Sequence, residues 1–391
     1  MSQRCILRAD RVLTPVEQIV HGAVAVSNGR IETVGPASAM ELSPGTRVVE
    51  CGDATIVPGF VDVHIHGSGG DSAMDGAEAV GRIATFITRF GVTSWLPTLT
   101  PRATIEALTE IIRASLAGPP RVARGAEILG LHLEGPFLSP KRPGAIRSEW
   151  FGEPSIHDLQ DLLASADERV KLMTLAPELP GGIDLVRYLV AHGVVASIGH
   201  SDATGAEALA AVEAGVTHAT HTFNAMRGFQ HREPGVAGVV LTTDAIRGEL
   251  IADGVHVDPL AMSLLIRAKG AQRVALITDA VAPAGLAAGA YEFEGRPITV
   301  RDGRATLADG TIAGSVATFD GNLRRIVHEC GVPLRQAALM SATVPAQVAG
   351  VADRKGSLVG GRDADLVVLD ADLHVRLTMV RGEIAFDARE R

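Results

Sequence analysis

The chain has 391 residues, 46% of them hydrophobic and 21% charged, with a formal net charge of −9. That is more chain than one hydrophobic core of about 250–300 residues fills, so one large and one smaller unit are expected, and the apolar content excludes a disordered protein. The acidic balance, with no run of Lys or Arg, excludes a nucleic-acid or anionic-membrane surface, and no stretch of about 18 apolar residues offers a membrane span.

The N-terminal residues Met-Ser-Gln-Arg-Cys-Ile contain no apolar signal segment. Residues 1–57 read as short strands and turns at 5–7, 22–26 and 47–50, with Asn28-Gly29 as a hairpin signal. The last 40 residues look alike, with strands at 365–369, 375–377 and 379–386. Neither end alone carries enough strands to bury a core, so residues 1–57 and 350–391 are expected to pair into one small β-sandwich domain. The cysteines Cys5, Cys51 and Cys330 are odd in number and widely spaced. They are expected to be free thiols in a reducing cytoplasm.

Residues 58–349 alternate strand, loop and helix. Apolar runs fall at 59–66, 93–98, 127–134, 170–176, 194–200, 217–222, 250–257 and 273–279. Helical patterns lie at 77–89, 105–116, 182–192, 203–214 and 259–269. Continuous Val/Ile/Leu runs separated by helices indicate parallel strands, and eight such units predict an α/β fold, a closed (β/α)8 TIM-like barrel. Residues 291–311 break the rhythm and read as a hairpin inserted after the eighth strand.

Polar residues fall at the ends of these runs: His64 and His66 on the first, Glu134 on the third, His200 on the fifth. His221 lies on the sixth, His256 on the seventh and Asp279 on the eighth. Active sites of such barrels sit at the C-terminal ends of the strands, so residues far apart in sequence are brought to one rim. In His64-Ile65-His66 the i and i+2 side chains share a face, and both imidazoles can meet one ion. Glu134, His200 and His221 form a carboxylate–imidazole set typical of catalytic zinc, and with the histidine pair a second metal can be bridged by Glu134. One or two divalent ions are expected; zinc is the default, and iron or manganese fit the same ligand types. Asp279 can take a proton from water and return it to a leaving group. Asn224, the Ala225 N–H and Arg232 offer oxyanion contacts. His132 shares a face with Glu134 but is read as a residue of the barrel interior. The glycines at 67–70 form neither a P-loop nor GxGxxG, and no GxSxG elbow is present.

Taken together, these stretches resemble the N-acetylglucosamine-6-phosphate deacetylases of the amidohydrolase superfamily. The resemblance rests on Glu134-Gly135-Pro136-Phe137, on His221-Thr222-Phe223-Asn224-Ala225-Met226 and on Ala252-Asp253-Gly254-Val255-His256, with Arg232-Glu233-Pro234-Gly235 between the last two. It implies that Glu134, His200 and His221 hold the main metal and that Asp279 is the acid/base. It implies sugar-phosphate contacts from Asn224, Ala225, Arg232 and His256, with Ala145 and Ile312, Ala313 and Gly314 lining the sugar pocket. It also implies a homodimer whose subunits complete each other's phosphate sites. Members usually carry a histidine after Gly-Ala in the loop following the metal-binding glutamate; here Gly144-Ala145 is followed by Ile146. Isoleucine donates no hydrogen bond. A metal or Arg147 can take over, or the substrate differs: N-acetylgalactosamine 6-phosphate or another N-acyl sugar is the alternative. A non-catalytic scaffold is the third reading, opposed by the complete set of ligands.

Overall fold

The computed structural model describes residues 4–390. Eight parallel strands form the barrel: Phe60–Ile65, Val92–Leu99, Leu131–Glu134, Val170–Leu175, Val195–Ile198, His218–Ala219, Arg247–Ile251 and Val274–Ile277. Each pairs with the next, and the ring closes where Ile65 bridges Ala280 and the Asp279 N–H donates to the His64 carbonyl at 2.9 Å. Eight helices follow the strands: Ala77–Phe86, Ile105–Leu116, Ile156–Ser165, Gly182–Ala191, Gly205–Ala214, Gly235–Thr242, Pro259–Lys269 and Phe319–His328. Several begin at the polar caps that satisfy the first free N–H groups of a helix, such as Thr104, Ser155 and Asp258, and Thr204 forms a reciprocal capping box with Glu207.

The third strand shows how the sequence sorts its faces. Leu131 and Leu133 join the large core shared with the helices, while His132 and Glu134, two apart, face the other way. The run expected at 127–134 is interrupted at Gly130, where a φ of 149° and the close Arg169 carbonyl leave no space for a side chain. The run expected at 250–257 is corrected: the strand ends at Ile251 because the Asp253 carboxylate accepts the N–H groups of Val255 (2.9 Å) and His256 (2.8 Å) and curls the chain. His256 therefore lies on a loop above the seventh strand. The sixth strand is likewise only His218–Ala219, and His221 follows it with left-handed backbone. The insertion after the eighth strand is a four-stranded antiparallel meander, Gly289–Phe293, Arg296–Arg301, Arg304–Thr306 and Ile312–Ser315, larger than the single hairpin expected.

Both chain ends build one eight-stranded sheet. In spatial order it runs Glu383–Asp387, Val375–Val380, Leu366–Leu369, Thr55–Pro58, Cys5–Leu13, Gln18–Ser27 and Arg30–Pro36, with Arg47–Glu50 also pairing Cys5–Leu13. Leu7, Val24, Ile56, Leu366 and Leu377 pack in its own core. A buried ionic cluster joins sheet and barrel. Lys355 Nζ contacts Glu127 at 2.9 Å, Asp363 at 3.4 Å and Asp365. Arg354 grips Glu127 through two bonds, at 3.0 and 3.1 Å, and reaches Asp363 at 2.7 Å. Among the described residues no helix is long and apolar enough to cross a membrane.

Candidate active site

The strand ends bring the predicted residues to one point. His200 and His221 place their Nε2 atoms 3.1 and 3.0 Å from Glu134 Oε1 and 3.1 Å from each other. His64 and His66 place theirs 3.3 Å apart, and 3.3 and 3.1 Å from Asp279 Oδ1. Glu134 touches both groups, with Oε1 3.5 Å from His64 and Oε2 3.3 Å from His66. All six residues are buried.

The opposite ring nitrogens decide which atoms point inward. His200 Nδ1 lies 2.9 Å from the Arg142 carbonyl and His66 Nδ1 3.2 Å from the Thr98 carbonyl, so each carries its proton there and turns a lone pair to the centre. His64 Nδ1 lies 2.9 Å from Glu249 Oε2 and is fixed the same way. The His64 and His66 lone pairs, facing each other at 3.3 Å, repel unless a cation lies between them. A tetrahedral ion with bonds of about 2.0–2.1 Å sets its ligand atoms about 3.3 Å apart, so both groups fit a divalent cation. Among the described residues Glu134/His200/His221 and His64/His66/Asp279 each gather their ligand atoms within 4.8 Å.

His200 (φ 47°), His221 (φ 30°) and Asp279 (φ 49°) all hold left-handed backbone. Each such residue costs on the order of 1–3 kcal/mol, a strain the surrounding strands must over-determine. Burial pushes the Asp279 carboxyl up, but His64 and His66 facing it hold it below the usual carboxylate range. The same balance, with burial opposing, leaves Glu134 well below that range and raises His66 to about 9, so that without a cation between the rings His66 takes up a proton in its place.

A cavity of about 180 Å³ opens over this centre. Its walls include Ala145, Asn224, Ala225, His256, Ile312, Ala313 and Gly314, all singled out from sequence, and Ile146. His256 is held by Asp253 Oδ2 at 2.7 Å from its Nδ1; burial lowers the imidazole pKa and Asp253 more than offsets it, so the net shift is upward. Arg232 is exposed and does not line the cavity. Arg147 is also engaged elsewhere, its guanidinium over the Trp150 ring at 4.9 Å and bonded to the Glu294 carbonyl at 3.4 Å. His132 is satisfied within the barrel by Thr98 (3.3 Å) and Thr174 (2.7 Å).

Three residues escaped the sequence reading. Glu249, fully buried, accepts from His64, from His218 Nε2 at 3.0 Å and from the His221 N–H at 2.9 Å. Its signal is a lone carboxylate immediately before the apolar run that begins at Leu250. His218, three residues before His221, is the second. Asp62 is the third: it accepts the Thr278 hydroxyl at 2.6 Å and ties the first strand to the eighth, and burial pushes its carboxyl up to about 7.

Residues 55–385 match the amidohydrolase family. The chain is 37% identical to the N-acetylglucosamine-6-phosphate deacetylase of Bacillus subtilis, over all of this chain and 99% of that one. It is 36% identical to the N-acetylgalactosamine-6-phosphate deacetylase of Escherichia coli O157:H7, over 97% of this chain and 99% of that one. The fold is similar to that of a mutant N-acetyl-D-glucosamine-6-phosphate deacetylase of Mycobacterium smegmatis in complex with N-acetyl-D-glucosamine-6-phosphate, with a TM-score of 0.90, 34% identity, and 98% and 100% of the two chains covered.

Proposed function

The chain belongs to the amidohydrolase family and to its N-acetylglucosamine-6-phosphate deacetylase group, and from that premise we propose how its own residues carry out the reaction. The substrate is N-acetyl-D-glucosamine 6-phosphate, and water cleaves its amide to give D-glucosamine 6-phosphate and acetate. The observation that carries this reading is the convergence of Glu134, His200, His221, His64, His66 and Asp279 beneath one small cavity.

Glu134, His200 and His221 hold one divalent ion, zinc in the first instance, and His64 and His66 with Glu134 offer a second position. A cation there makes water a stronger acid and polarises the amide carbonyl. Asp279, ionised at neutral pH, takes the proton of the attacking water. As the C–N bond breaks it delivers that proton to the sugar nitrogen. His256, its imidazole pKa raised by Asp253, and Asn224 with Ala225 hold the sugar phosphate. Arg232, outside the cavity of its own chain, serves a shared phosphate site in a homodimer. Ile146 supplies no hydrogen bond to the carbonyl oxygen, which leaves that task to the metal side of the cavity. The three unpaired cysteines suit the cytoplasm.

The test is release of free amine from N-acetylglucosamine 6-phosphate, with metal content measured on the same sample. Turnover that a chelator removes and zinc restores supports the reading. A filled metal site with no turnover on this sugar or its galacto epimer refutes it. Preference for the galacto epimer would favour the alternative substrate, which the E. coli O157:H7 relative brings into view.

A further inference from the structure

A second cavity, of about 410 Å³, adjoins the first, and the two share His66, Thr100 and Phe293 in their walls. It has room for roughly a dozen waters at about 30 Å³ each. Its position in the barrel is specific. The sugar-phosphate contacts Asn224 and Ala225 follow the sixth strand, and Thr100 and Arg102 follow the second, which lies on the opposite side of an eight-stranded ring. The ligand cluster and Asp279 lie between. If the sugar nitrogen enters from the side of the sixth strand, the acyl carbon chain beyond the scissile carbonyl leaves toward the second, into this cavity.

We propose that this cavity is an acyl pocket, and that the enzyme also removes neutral N-acyl groups longer than acetyl from the same sugar phosphate. The proposal rests on the reading of the site given above. The reaction balances as before: water adds to the carbonyl carbon, the C–N bond breaks, the longer carboxylate leaves and the amine takes the proton. The tip of the inserted meander, Tyr291 to Gly295, forms one wall of the pocket. Glu294, its side chain 4% exposed, receives the Thr100 hydroxyl and lies 3.5 Å from Arg102 and 3.4 Å from Arg296. Glu294 divides its one charge between these two guanidinium groups, and Asp75 and Glu292 stand exposed on the wall. Among the residues lining the cavity three carboxylates, Asp75, Glu292 and Glu294, stand against one guanidinium, Arg102, so the lining disfavours an acyl chain ending in a carboxylate.

The experiment compares the N-acetyl, N-butyryl and N-succinyl derivatives of glucosamine 6-phosphate on the metal-loaded enzyme. A pocket fitted to acetyl alone discriminates by about 10–200-fold per methylene. The expected kcat/KM for the butyryl compound is instead within about tenfold of acetyl, with succinyl at least about tenfold below butyryl. Calorimetry on Asp279→Asn is expected to give the butyryl compound the same affinity as acetyl within about tenfold. Met74→Trp, which fills the second cavity from a half-buried wall position, is expected to lower the butyryl rate at least about tenfold and leave acetyl within about threefold. Turnover of acetyl with butyryl more than about 100-fold slower overturns the inference and leaves the deacetylase reading standing. Equal rates for succinyl and butyryl, or a Met74→Trp protein with no selective loss, also overturn it. No turnover of any derivative with metal bound sinks both.

Discussion

Replacing Glu249 by alanine removes one carboxylate and strands three donors: His64 Nδ1, His218 Nε2 and the His221 N–H, at 2.9, 3.0 and 2.9 Å. All sit in a fully buried environment, and each unsatisfied donor costs about 1–3 kcal/mol, so the sum is roughly 3–6 kcal/mol after some relaxation. Against a typical total of about 5–15 kcal/mol this is a large fraction. Glutamine separates the charge from the shape. Its one acceptor oxygen can serve His64 and His221 while its NH2 faces His218, whose Nδ1 has no partner and can accept the shifted proton. Glu249→Gln should therefore cost only about 1–2 kcal/mol, yet weaken metal binding by about 10–100-fold, because His64 loses a charged partner. Urea unfolding and metal content after dialysis against a graded chelator measure the two effects. An alanine protein within about 0.5 kcal/mol of wild type that also keeps its metal would refute the argument.

Further tests address other links of the chain. Asp279→Asn should keep the ion held by Glu134, His200 and His221 and lose turnover by at least about 10³-fold; near-normal turnover removes Asp279 from proton transfer. Asp253→Asn takes away the partner that raises His256. In the wild type the imidazolium, and with it phosphate binding, persists above the ordinary value of 6.5 and is lost as pH rises through the raised one. The variant should show a higher KM than the wild type above pH 6.5 and a difference that shrinks near pH 5.5; a pH-independent gap would falsify the charge explanation. Burial opposes ionisation of Glu127, but Lys355 and Arg354 outweigh it and lower its pKa from 4.5 to about 2. That stability is present above pH 4.5 and lost as pH falls toward 2, worth roughly 3 kcal/mol. Lys355→Met should destabilise the protein at pH 7 by about 3–5 kcal/mol and flatten the acid limb; an unchanged acid profile would count against the cluster.

The barrel is legible because both faces of a covered parallel strand are apolar, so each strand announces itself as a Val/Ile/Leu run. The residues that end those runs stand out for the same reason: Glu134 after Leu133 and Asp279 after Thr278 are charges where the pattern has no use for one. The pattern misleads where side chains bend the backbone. Ile251 to Val257 reads as strand, but Asp253 folds it into a turn. The helix Gly235–Thr242 is buried along most of its length and so shows no amphipathic period. Glu249 hides in mid-strand, because alternation alone does not say which inward position meets a histidine 185 residues away. Lys355 meets Asp363 and Asp365 within ten residues, but Glu127 reaches it across more than 200 positions by tertiary packing, and local sequence carries no trace of that pairing.

The interleaved order of the small sheet bears on how the protein is made. Thr55–Pro58 lies between Cys5–Leu13 and Leu366–Leu369, so an early strand waits for one translated some 300 residues later. At about 5–20 residues per second the ribosome needs roughly 15–60 seconds to cover that distance, far longer than local helix and hairpin formation. During that interval the Thr55–Pro58 edge, all four residues of which are buried in the finished fold, has no mate on that side. The nascent chain thus exposes a short, uncharged β-edge next to Phe60 and Val61, the kind of surface that chaperones recognise and that pairs with neighbouring chains. The strands from Leu366 to Asp387 act as a latch, and their arrival converts a sticky intermediate into a closed molecule.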